Sequence, residues 1–227
     1  MSAQLRSLRE GIEAEFPLLV GVFPFGMIYG AAALSAGLTP ALAQGMSSIV
    51  FAGSAQLLTA QLIHVAAPAL VIILTIGIVN LRHLLYSASV APYVRHLSMR
   101  WKAVLAYLLT DEAYAAVIVH YEKAGVTPTG HWFFLGAGAS LWLTWEVSTA
   151  LGILLGTTIP ESWPLEFALP LTFIAMLVPM LKDGAMVSAA LTAGAVALLA
   201  VSLPYKLGLV LAALVGIGVG VLMERKP

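Results

Sequence analysis

Cysteine is absent from the whole chain. That excludes disulfide staples and thiolate metal sites, and it leaves the compartment open. Charge is scarce too. Asp, Glu, Lys and Arg supply 10% of the residues, against about 25% in a soluble domain. Eleven bases balance eleven acids, so no net charge is left to draw in nucleic acid. The five histidines (His64, His83, His96, His120 and His131) are scattered and form no His-Glu-x-x-His pattern. No metal, no cofactor and no catalytic residue is expected on that basis. Long polar tails and low-complexity runs are missing as well, so function has to reside in the apolar body of the chain or its loops.

What remains is 60% hydrophobic, with a mean hydropathy of +0.96 over 227 residues. These values describe an all-α integral membrane protein whose surroundings are the lipid bilayer. The expected architecture is a polytopic helical bundle forming a single transmembrane domain over residues 1–227. The length accommodates seven or eight spans of about 20 residues each. Residues 1–15 lack a signal-peptide pattern. Leu5, Leu8 and Ile12 share one helical face, as in an interfacial helix ahead of the first span. Arg6 and Arg9 favour a cytoplasmic N-terminus.

The first span, about 16–36, contains Pro17 and Pro24 and then Gly26 and Gly30. Pro24 is expected to kink or break it, and the two glycines to mark a close helix contact. The next apolar region holds Met46–Gln56, MSSIVFAGSAQ, which is too polar for an ordinary lipid-facing helix. Ser47, Ser48, Ser54 and Gln56, bracketed by Gly45 and Gly53, are candidate lining for a solute site. Small and hydroxyl residues of this kind equally let neighbouring helices pack closely. The region is expected as a discontinuous or re-entrant helix.

The third apolar region carries Asn80 and Arg82. An arginine at such depth must reach the interface or find an acid. The loop 92–102, with Arg95, His96, Arg100 and Lys102, is the most basic and should be cytoplasmic. With the N-terminus inside, three full spans would place that loop outside. A second element that re-enters without crossing restores it to the inside. That gives seven crossings; a failure of the bias, or an outside N-terminus, would restore eight.

A fourth span, about 101–121, has Asp111 and Glu112 near its middle. Adjacent residues point about 100° apart on a helix, so the two acids meet different surroundings. Both are candidates for carrying a coupling proton, and one of them is equally suited to a structural ion pair with Arg82. A fifth span, about 132–156, contributes a third membrane acid, Glu146, and Trp132, Trp142 and Trp145 as candidate interface anchors. A sixth, 167–181, has two prolines like the first, a weak hint of an internal repeat. The last two spans are about 185–203 and 207–223, and Gly216 and Gly220 form a packing face on the last.

Five pieces in order resemble the AzlC family, the large subunits of branched-chain amino acid exporters. They are PFGMIYG at 24–30, MSSIVFAGSAQ at 46–56, NLRHLLYSASVAPY at 80–93, LTDEAYA at 109–115 and ALPLTFIAMLVPMLKD at 168–183. The resemblance implies a multi-pass exporter of leucine, isoleucine and valine, with methionine as a further candidate, in a bacterial cytoplasmic membrane. It implies coupling to the proton motive force and a small AzlD-like membrane subunit as partner. A zwitterionic amino acid needs a cation or helix N-terminus for its carboxylate and an acid for its ammonium. Arg82 suits the first role and Asp111 or Glu112 the second, with Ile49, Val50 and Phe51 as an apolar wall. A channel or facilitator for small polar solutes is the competing reading. An intramembrane enzyme and a non-transporting scaffold fit the residues less well.

Overall fold

A computed structural model describes residues 2–156, 181, 183–204 and 207–224. The expected sixth span and its prolines lie outside the described residues. Two compact units result, Met1–Ala60 with Asn80–Trp163, and Gln61–Val79 with Pro164–Pro227. Among the described residues four helical stretches are long and apolar enough to cross a membrane: Ala3–Ser35, Ala69–Val94, Gly130–Leu155 and Leu207–Glu224. Large apolar side chains such as Leu84, Leu154 and Leu214 point outward, as a lipid-facing surface requires.

In the first unit, α1 (Ala3–Ser35) starts at Ser2, whose hydroxyl accepts from the Leu5 amide at 3.3 Å. It runs on through Pro17 and Pro24 as one helix, so the interfacial segment and the span expected separately are continuous. Its partner is the 26-residue α8 (Gly130–Leu155). The contacts advance together along both helices. The Ser7 hydroxyl donates to the Thr129 carbonyl at 2.9 Å, Gly11 faces Phe133, Gly26 faces Ser148 and Gly30 faces Thr149. The two helices are therefore parallel. Glycine makes the approach close: a Cβ at Gly11 would collide with the Phe133 carbonyl oxygen, and one at Gly136 with that of Leu8. The contact expected of Gly26 and Gly30 is this seam.

α2 (Pro40–Ile49) begins at the far end of α1, with Thr39 as its cap. It ends beside α8, where Ser47 meets Thr149 and Ser48 meets Glu146. α3 (Gly53–His64) does not continue it. A straight helix would carry residue 56 about 15 Å beyond Met46. The Gln56 amide nitrogen instead lies 3.5 Å from the Met46 carbonyl oxygen. The chain turns back at 50–52, which is the expected discontinuity. α4 (Ala69–Asn80) belongs to the second unit up to Val79, and the chain re-enters the first unit as α5 (Arg82–Val94).

The segment expected as a fourth span is not one helix. α6 (Met99–Tyr107) runs with α8, from Trp101 against Trp132 and His131 to Leu108 against Gly138. The chain breaks at 108–110. α7 (Asp111–Ala124) then returns along α5, with Tyr86 stacked on Tyr114 and Tyr93 on Tyr121, and Tyr121 arrives back at Gly130. This is a re-entrant hairpin that enters and leaves at the end where α8 starts. The N-terminus, the basic loop after α5 and the α7–α8 connection thus share one end. The positive-inside bias of Arg6, Arg9, Arg95, Arg100 and Lys102 is satisfied there without conflict.

In the second unit, α9 (Gly184–Leu199) and α10 (Leu207–Glu224) pack antiparallel. Gly208 abuts Ala200, Gly216 abuts Ala193 and Gly220 abuts Ala189. The small residues expected to face a neighbouring helix do so within this pair.

Two outcomes check this fold. The chain is free of cysteine, so single cysteines read topology directly. Ser98→Cys and Val126→Cys should both react with an impermeant thiol reagent from the side of the N-terminus, and Ala41→Cys from the opposite side; labelling of 98 and 126 from opposite faces would contradict the hairpin. Gly136→Ala overpacks the α1–α8 seam and should destabilise by about 1–3 kcal/mol. Gly45→Ala, with nothing within 4 Å of the new methyl, should not lower the melting temperature in detergent.

Candidate functional site

The two helix breaks come together. Tyr107, at the end of α6, donates its hydroxyl hydrogen to the Ser48 carbonyl near the end of α2 and accepts from the Trp142 indole at 2.8 Å. Its ring lies 6.1 Å from that of Phe51 in the α2–α3 break. Membrane depth offers no water to a free peptide group, so each break needs internal partners.

Gln56 supplies them for α2. Its amide nitrogen donates to the carbonyls of Met46, Ser47 and Val50 at the end of α2, adding to the backbone amides of Val50 and Ala52 that reach Met46 and Val50. The Trp145 indole donates to its amide oxygen at 3.2 Å. Gln56 and Trp145 are buried, and Phe25 and Tyr29 pack on the Trp145 ring. Trp145 is thus a core residue and not the interface anchor expected of it. Ser47 is fully buried against Thr149, with hydroxyl oxygens 3.1 Å apart. Gly53 lies tight against Trp145 and Phe25. Ser47, Gly53 and Gln56, read from the sequence as solute lining, are engaged in holding the break. Thr110 serves the other break, its hydroxyl accepting from the Ala113 amide at 3.4 Å. Asp111 and Glu112 occupy the first turn of α7, where the helix dipole favours anions.

Across these breaks lies the only arginine–carboxylate contact that is not a surface pair among the described residues. The Arg82 guanidinium, at the start of α5, stands 2.6 Å from the Asp111 carboxylate. The same guanidinium donates to the Ser54 hydroxyl in the first turn of α3. Arg82 is 26% exposed and Asp111 15%. The arginine has found the acid it needed, and the pair ties the beginnings of three helices. It is not saturated. Arg82 Nε, Asp111 Oδ1 and the neighbouring Asn80 Oδ1 are buried without a hydrogen-bond partner. One free donor and two free acceptors therefore lie around a single ion pair.

Glu146 forms a separate cluster. One carboxylate oxygen accepts from the Gln44 amide and, at 2.9 Å, from the Ser48 hydroxyl. The other oxygen is buried without a partner, and no cation pairs with it among the described residues. Its partners come from α2, and not from the flanking Thr144 and Ser148. Ser148 is instead bonded to the Trp145 carbonyl. Of the apolar wall, Phe51 is buried while Ile49 is 78% exposed and faces outward. Gln44, Tyr107, Trp145 and Thr149 were not among the sequence candidates. Only Gln44 carried a signal, as a further amide beside the Ser-rich stretch.

A family model described as AzlC protein matches residues 17–159, more than half of the chain. The chain belongs to the AzlC family. It is 32% identical over 195 residues to an uncharacterized membrane protein of Archaeoglobus fulgidus, covering 84% of this chain and 83% of that one. It is 26% identical to the inner membrane protein YgaZ of Escherichia coli over 203 residues, 86% of this chain and 82% of that one. An uncharacterized membrane protein of Helicobacter pylori is 24% identical over 181 residues, 78% and 77% of the two chains. No solved structure matches. The AzlC match spans both helix breaks, the Arg82–Asp111 pair and Glu146.

The pair makes a stability test. Arg82→Ala or Asp111→Asn strands a half-buried partner and should cost about 1–3 kcal/mol. The double variant Arg82→Met/Asp111→Leu strands nothing and should regain most of that loss. A double variant that melts as low as either single one would show that the link is not mainly electrostatic.

Proposed function

We propose that this AzlC-family chain is a secondary transporter that exports branched-chain amino acids across a bacterial cytoplasmic membrane. The reading is carried by the unsaturated ion pair. An α-amino acid presents a carboxylate and an ammonium on adjacent carbons. Arg82 Nε suits the carboxylate, and the free oxygens of Asp111 and Asn80 suit the ammonium. The first turns of α3 and α7 bring amide groups and positive dipole ends to the same place. Discontinuous helices supply such termini at mid-membrane in transporters. Phe51 and Tyr107 contribute aromatic surface beside the breaks for an aliphatic side chain.

Leucine, isoleucine and valine are the substrates this chemistry and the family resemblance favour, with methionine as an unbranched alternative of similar bulk. Coupling to the proton motive force is assigned to Asp111, Glu112 and Glu146. The free oxygen of Glu146 is a protonation site that the zwitterion does not need. Ser48 and Ser54, which hold Glu146 and Arg82, transmit changes at either charged group to the α2–α3 break. A small AzlD-like membrane subunit completes the exporter.

The test is efflux from proteoliposomes loaded with leucine, with and without the small subunit and an imposed proton gradient. Gradient-dependent efflux that requires the subunit is expected. Arg82→Met/Asp111→Leu should fold yet lose at least 10-fold in rate, since about 1.4 kcal/mol of lost substrate interaction already gives that factor. Efflux indifferent to the proton gradient would point to a facilitator, and normal efflux by the double variant would remove the pair from the site.

A further inference from the structure

Glu15 belongs to none of the clusters above. It lies in α1 one turn after Gly11, on the face turned toward α8. It is 0% exposed, and neither carboxylate oxygen has a hydrogen-bond partner. Other acids of the N-terminal segment are placed differently. Glu13 pairs with Arg9 at the surface at 2.7 Å, and Glu10 faces His120. α8 presents no ionisable side chain between His131 and Glu146, and α2 has none along its length. α7 packs against α1, and its charge that bears on Glu15 is Glu112, in the first turn of α7 at the hairpin tip. Beyond Glu112 stands the Arg82–Asp111 pair. Among the described residues no cation pairs with Glu15.

We propose that Glu15 is a proton-carrying site of the transport cycle and exchanges its proton with Glu112 at the tip of the α6–α7 hairpin. A lone carboxyl in an apolar bundle takes up a proton rather than stay charged. Negative charge on Glu112 disfavours negative charge on Glu15, so the two acids do not both ionise cheaply. The step is a transfer from the Glu15 O–H to a Glu112 carboxylate oxygen, leaving Glu15 ionised and Glu112 neutral. It moves one charge from α1 to the hairpin that carries Asp111, and the reverse step restores it. Glu112 is thereby the link between the zwitterion pocket and a proton store on α1, toward the end of the bundle that holds the N-terminus.

The inference rests on the proton-coupled reading above, and two measurements separate the failure of each. The first is infrared spectroscopy of the reconstituted full chain at neutral pH, which detects the carbonyl stretch of a protonated carboxylic acid. Glu15→Gln should remove one such band, and Glu15→Asp, which keeps an acid and covers the case where the glutamine variant misfolds, should shift it. A spectrum in which neither change alters the band would overturn the proposal. The second follows proton movement with a pH dye during leucine efflux. Efflux in the wild type without proton movement would end the coupled reading, whatever the infrared result. Proton movement in the wild type that is lost in Glu15→Gln and retained in Glu15→Asp is the expected result. Undiminished proton movement in Glu15→Gln would overturn the role of Glu15 and leave the coupled reading standing.

Discussion

The contact between Arg82 and Asp111 is the constraint on which the first unit depends. A membrane interior tolerates an arginine only with a partner, and Asp111 at 2.6 Å is that partner. The acid can stand there because the chain breaks at 108–110 and starts a new helix, and an anion at the start of a helix is favoured. Ser54, the guanidinium's other partner, is available because α2 has ended and α3 has begun. Remove the breaks and the pair has no place to form. Remove the pair and the ends of the broken helices lose the charge that gathers them.

Breaks at this depth carry a cost, and the structure meets it with side chains instead of water. Gln56 covers the carbonyls at the end of α2 and is itself fixed by Trp145. Thr110 covers an amide at the start of α7. Tyr107 joins the two breaks through the Ser48 carbonyl. These groups are used up. Around the breaks, the atoms left without a partner among the described residues are Arg82 Nε, Asp111 Oδ1, Asn80 Oδ1 and one oxygen of Glu146. That division separates residues that hold the breaks from residues with unfilled polar atoms, and it is invisible without the hydrogen bonds.

Much of the fold was legible because the bilayer is a severe solvent. Low charge and high hydropathy demand helices, small residues at Gly26, Gly30 and Gly216 demand close neighbours, and Arg82 demands an acid. The serine-rich stretch at 46–56 announced a break for the same reason. The direction of α6 and α7 was not legible. Hydropathy counts apolar residues over 101–121 and is blind to a chain that turns back at 108–110. Glu15 escaped notice because it follows Arg9, Glu10 and Glu13 in one polar run, although at about 100° per residue it falls beside Leu8 and Ile12 and off the face those three residues form. Trp145 read as an interface anchor because a tryptophan's indole N–H seeks a polar partner, and here Gln56 provides it inside the bundle.

The central claim is that the ion pair's unfilled atoms recognise both charges of one zwitterion. The most direct measurement is the binding of leucine to the purified chain alongside three analogues: leucinol, which lacks the carboxylate, isoamylamine, which also lacks it, and 4-methylpentanoate, which lacks the ammonium. Saturable binding of leucine with little or none of the three half-charged analogues is the predicted result. An analogue that binds as tightly as leucine would show that one of the two charges is not read, and would contradict the assignment of Arg82 and Asp111 as a matched pair of receptors.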